Sequence, residues 1–140
     1  MAGKIIADTL EHSTAGSVTT DYVVNGSAKA WVNFNGRGTL AVQDSINYSS
    51  VTDNGDGDYT SAYSSSFANV TYTTNGSNFG EQNHGRGTWG LGVGLNADNT
   101  LTLYTSSQVR MYSNYGATAS SNGGEYDPTP CHIIHMGDLA

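Results

Sequence analysis

Cys131-His-Ile-Ile-His135 is the densest group of metal-ligating side chains in the chain. A thiolate with two imidazoles suits zinc, whose structural sites take four nitrogen and sulfur ligands in a tetrahedron. The spacing works against one shared ion. The run reads as a strand, on which His132 and His135 point to opposite faces. A three-fold axis is the remaining route to a site, because symmetry would repeat His135 or His12 around one ion. Asp53-Asn-Gly-Asp-Gly-Asp58 gathers the hard oxygen ligands that calcium prefers. No register makes it an EF-hand loop: starting at Asp53 puts glycine at two ligand positions, and starting at Asn54 puts Tyr59 where glycine is required. A hairpin turn between strands around Ile46 and Tyr59 accounts for the same residues without an ion.

Gly85-Arg-Gly-Thr-Trp-Gly90 matches the dinucleotide-binding pattern letter for letter. That motif works only after a buried strand and before a helix whose N-terminus meets the pyrophosphate. Here Asn-Phe-Gly-Glu-Gln-Asn-His precedes it and Gly-Leu-Gly-Val-Gly-Leu follows, so the context is missing. Glycoside hydrolysis needs two carboxylates in unlike environments across one cleft, and most acidic residues here sit beside Gly or Asn in turns. Nothing resembles a nucleophile elbow. The expectation is a protein that is not an enzyme and carries no cofactor or metal.

The elements that position these residues are strands. Ser, Thr, Asn and Gly supply nearly half of the 140 residues, while charged residues are only 12%, against a usual quarter. Disorder would bring more charge and fewer aromatics. Nine Tyr, three Phe and two Trp, recurring beside β-branched residues, suit pleated half-buried strands instead. Apolar residues alternate: Ala30, Val32 and Phe34 share a face, as do Leu40 and Val42, then Trp89, Leu91, Val93 and Leu95, then Leu101 and Leu103, then Val109 and Met111. Asn-Gly recurs at 25–26, 35–36, 54–55, 75–76 and 122–123, each a turn signal because both residues tolerate positive φ. These signs predict an all-β protein, an antiparallel β-sandwich or jelly roll spanning residues 28–140.

Residues 1–27 differ in kind. They lack a regular apolar period and cannot form a core, so they are expected as an extended arm that lies on a neighbour through Ile5, Ile6, Leu10 and Val18. Trp31, flanked by apolar Ala30 and Val32, makes its strand apolar on both faces. Ile133 and Ile134 do the same for the last strand. Trp89, Gly90, Gly92 and Gly94 form a strand bare on one side, which permits close backbone approach. All seven are expected at an oligomer or assembly interface. The net charge of −7, with five scattered basic residues, argues against nucleic acid. No stretch approaches a membrane span, residues 1–25 lack the apolar centre of a signal peptide, and one cysteine forms no intrachain disulfide.

Lys29-Ala-Trp-Val-Asn-Phe-Asn-Gly36, followed by Ser50-Val-Thr-Asp-Asn-Gly55 and Gly57-Asp-Tyr-Thr60, resembles a recurrent module of virion proteins from tailed bacteriophages, marine ones especially. Residues 7–20 and the terminal Gly137-Asp-Leu-Ala140 look like the ends of the same module. The resemblance implies a structural virion protein, assembled in the host cytoplasm. The favoured placement is a capsid decoration (cement) protein, a homotrimer bound to the major capsid protein. The alternative is a tail-fibre or receptor-binding module among tail proteins, presenting Asn78, Phe79, Tyr112 and Tyr115 on loops to a host glycan.

Overall fold

The computed structural model describes Gly3 and residues 5–78, 90–93, 104–115 and 124–140. The expectations placed on Phe79, Trp89, Gly94, Leu95, Leu101 and Leu103 lie outside the described residues.

Alternation at period two is what the strands obey. In β3 (Ala28–Asn35) Ala30, Val32 and Phe34 are buried while Trp31, Asn33 and Asn35 are half-buried on the other face. β11 (Cys131–Met136) buries Cys131, Ile133 and His135 in the same way. These strands pair with each other, β4 (Ala41–Ile46) adds to β3, and β7 (Thr73–Asn78) adds to β11, so one sheet runs β4-β3-β11-β7. The second sheet runs β10 (Gly124–Glu125), β9 (Gln108–Tyr115), β6 (Asp58–Tyr63), β5 (Tyr48–Gly55), and β8 (Gly90–Val93) also pairs with β9. All of these pairings are antiparallel.

The two sheets pack into a β-sandwich. Tyr59 and Tyr63 from β6, with Val109 and Met111 from β9, close onto Ala30, Val32, Phe34, Cys131 and Ile133. Phe34 and Tyr59 meet edge to face with ring centroids 5.0 Å apart. At one end Phe67 and Tyr72 stack at 4.3 Å, and Tyr63 packs edge-on against both. The expected pairing of Leu40 with Val42 on one face does not hold: Leu40 packs against the core, whereas Val42 is exposed on β4. A register shift between Asn33 and Phe34 falls where β3 meets this strand.

The acidic loop joins β5 to β6. Asp53 Oδ1 accepts from the Gly55 amide at 3.0 Å, and Asn54 donates to Thr60 Oγ1 at 2.9 Å. Gly57 adopts φ +67 against Ser113 and Tyr126, where a Cβ would lie 2.3 Å from the Ser113 carbonyl oxygen. Only glycine fits there. Asp127 ties this turn to the core, accepting from the Gly57 amide at 2.8 Å and the Tyr59 hydroxyl at 2.6 Å.

The N-terminal segment is not an extended arm. β1 (Thr9–His12) and β2 (Gly16–Thr19) form a hairpin, followed by the seven-residue helix α1 (Thr20–Gly26). His12 explains the turn, because its Nδ1 accepts from the Ala15 amide at 3.1 Å and the Thr14 amide at 3.3 Å. Gly16 takes φ +92 at its exit. Thr20 then ties the helix start back to the chain before β1, donating to the carbonyls of Asp8 and Ala7.

Candidate functional site

Three places could do something beyond holding the fold: the interior around Cys131 and His135, the N-terminal hairpin with its helix, and the outer face of the β4-β3-β11-β7 sheet.

The interior is chemically quiet. Burial pushes the Cys131 thiol up to about 12, so it stays protonated and is a poor nucleophile or ligand. His135 is fully buried, with Nε2 2.5 Å from the Tyr48 hydroxyl and Nδ1 2.8 Å from Thr74 Oγ1. Desolvation lowers its pKa to about 4, which keeps the ring neutral. His132 lies on the opposite face of β11, as the strand period requires. The acidic loop is likewise committed: the Asp58 carboxylate accepts from Nε and Nη2 of Arg110, a hydrogen-bonded pair that holds its carboxyl below the usual range. Among the described residues no group of three His, Cys, Asp or Glu side chains converges on one point.

The N-terminal unit buries nothing. Every residue of β1, β2 and α1 is exposed apart from Thr20, which is intermediate. Ile5 and Ile6 are 90% and 82% exposed, and Leu10, Val18, Tyr22, Val23 and Val24 are also open to solvent. The four arm residues expected at a contact are thus all available to one. The helix has no side-chain cap at Thr19. A helix this short is marginal without tertiary packing.

The outer sheet face is ordered by register. Ile134 stands opposite Trp31 on one side and Asn75 on the other, and Trp31 stands opposite Ile46. One step along, His132 stands opposite Asn33 and Ser77, and Asn33 opposite Asp44. Two rows therefore cross the sheet. One is apolar through Ile134, Trp31 and Ile46, with Asn75 at its end. The other is polar: Ser77, His132, Asn33, Asp44. A groove of about 360 Å³ lies on this face, lined by Trp31, Asn33, Asn75, Ser77, His132 and Ile134 among others. Among the described residues buried Asn33 Oδ1 has no hydrogen-bond donor, a cost that a buried acceptor rarely carries.

Two of the residues expected at an interface or glycan surface lie elsewhere. Ile133 is 2% exposed and faces the chain's own core, because β11 is a central strand whose inner face meets the second sheet. Asn78 is buried too, its amide donating to Ser113 Oγ at 2.5 Å, so it cannot present itself to a glycan. Tyr112 is half-buried on β9 with the Arg110 guanidinium 5.4 Å from its ring centre. Tyr115 ends the same strand, its backbone paired with Gly124. Gly90 and Gly92 lie on β8, paired with Asn114 and Tyr112 of the same chain. Trp31 and Ile134, by contrast, share the outer face. Sequence reasoning did not single out Asn33 and Ser77, and it weighed His132 only as a metal ligand. Their signal was the outward parity of three strands, readable only once their register was known.

No protein-family model, characterised protein or solved structure matches this chain.

Proposed function

We propose that this chain is a structural subunit that docks onto a larger assembly through its N-terminal hairpin and helix, and that the assembly is the virion of a tailed bacteriophage. The observation that carries the reading is a folded N-terminal unit with no buried residue of its own and two almost fully exposed isoleucines. Burying an isoleucine side chain is worth roughly 2 kcal/mol. A segment that leaves this unused within its own chain is built for a surface on another molecule. The virion placement rests on the likeness of Lys29 to Gly36 and its following turns to phage structural modules. Within it, capsid decoration is the favoured role, with a homotrimer contacting the major capsid protein.

Removing residues before Ser27 tests the reading. The shortened protein should keep its β-sheet circular dichroism and its unfolding midpoint, since among the described residues the sandwich core draws on none before Ala30. It should fail to co-sediment with the phage particles that the full chain binds. Undiminished co-sedimentation would remove the docking role from this unit. Hundreds of copies per particle on a quantitative gel would agree with the shell, and a few tens would move the protein to the tail.

A further inference from the structure

We infer that the groove on the outer face of the β4-β3-β11-β7 sheet is a binding site for a neutral saccharide of mono- or disaccharide size, held over Trp31 and Ile134 by the polar row of Asn33, His132 and Ser77. This does not depend on where the protein is placed in a particle. A pyranose ring has one face of C–H groups and a rim of hydroxyls. The groove offers the counterpart of each. Trp31 and Ile134 stand side by side in the register and give the apolar floor. Directly beside them, Ser77, His132 and Asn33 stand in one line across β7, β11 and β3, with Asn75 at the end of the apolar row. A hydroxyl, an imidazole and two amides both donate and accept, which matches the dual role of sugar hydroxyls.

Size and charge narrow the occupant. About 360 Å³ falls at the small end of ligand pockets, too small for a long chain to be enclosed. Among the described residues no Lys or Arg lines the groove, and the polar row ends at the Asp44 carboxylate. In a chain of net charge −7 this disfavours phosphates, nucleic acid and acidic sugars. Asn33 lines the groove, and its Oδ1 finds no donor among the described residues.

The test uses the full chain with methyl glucoside, methyl galactoside, maltose, lactose and diacetylchitobiose as probes, and sialyllactose as the anionic comparison. Saturation-transfer NMR at about 10 mM probe covers the weak affinities expected of a small open site. At least one neutral probe should bind saturably, and sialyllactose should bind no better than lactose. Trp31→Ala should weaken that binding at least about tenfold. Because Trp31 also packs on its sheet, Ser77→Arg is the second variant: it fills the groove from an exposed position and should abolish binding with the unfolding midpoint unchanged. The assignment is overturned if no neutral probe shows transfer, or if either variant binds like the parent. It is also overturned if Ser77→Arg dissociates an oligomer of the parent without altering the saccharide signal, for then a second copy covers this face.

Discussion

His135 should make this protein lose stability as the pH falls from about 6.5 to about 4. The ring is fully buried between Tyr48 and Thr74, with the rings of Tyr63, Tyr72 and Phe67 at centroid distances of 5.3, 5.6 and 6.3 Å. Among the described residues the ionisable side chains in ring contact with it are Tyr48, Tyr63 and Tyr72. Burial therefore lowers its pKa from 6.5 to about 4. The unfolded chain takes up the proton near 6.5 while the folded chain resists until about 4, so stability falls across that window and levels off below it. The gap between the two values corresponds to about 3 kcal/mol, a large share of the 5–15 kcal/mol roughly typical of a domain. Urea unfolding followed by far-ultraviolet circular dichroism at about pH 7.5 and about pH 4.5 measures it, with a constant slope confirming that the states compared are the same. His135→Gln keeps a donor and an acceptor for the two hydroxyls and removes the titration. It should be less stable near neutrality, yet its stability should be nearly flat over the window. Asp58, held below the usual carboxylate range by Arg110, contributes stability that is lost only as pH falls through its lowered value, below 3.8, which leaves the two effects separable. A parallel decline in the parent and in His135→Gln would refute the assignment to this ring.

The remaining predictions concern packing and are read from urea midpoints. Gly57→Ala should cost more than about 2 kcal/mol, because a Cβ would collide with the Ser113 carbonyl oxygen and Tyr126 amide, whereas Gly38→Ala, at φ +70 in open space, should cost only about 1 kcal/mol; equal effects would mean the turn can move. Asp127→Ala should cost about 3 kcal/mol by orphaning the Gly57 amide and the Tyr59 hydroxyl, with Asp127→Asn milder. Phe34→Ala should cost about 3–5 kcal/mol and Trp31→Ala clearly less, since Phe34 is sealed in the core while Trp31 stands on the outer face. A Trp31→Ala cost as large as that of Phe34→Ala would place Trp31 inside.

Much of the fold was written locally. Strand period two is a property of the backbone, so Ala30, Val32 and Phe34 declared an inner face and Val109 and Met111 another, and both are buried. Glycine at 55 and 57 marked the β5–β6 turn, where positive φ is needed. The same parity separated His132 from His135. Other features were decided by partners distant in sequence. The last strand sits between β3 and β7, hydrogen-bonded on both sides, which places Ile133 in the core and brings Ile134 beside Trp31. Neither neighbour is legible from the strand itself, because alternation states which face a residue takes and not what lies next to it. His135 reads in the sequence as a possible ligand; the aromatic residues from β5, β6 and the connection to β7 make it a buried neutral ring. The N-terminal residues showed no core-forming period, and they bury no core. Their hairpin nonetheless forms through the His12 side chain and Gly16, short-range hydrogen bonds that hydropathy does not register. Amino-acid order determined faces and turns because these depend on neighbours in the chain. Tertiary structure decided the two rows of the outer face and the cage around His135, because both depend on register between strands that only folding brings together.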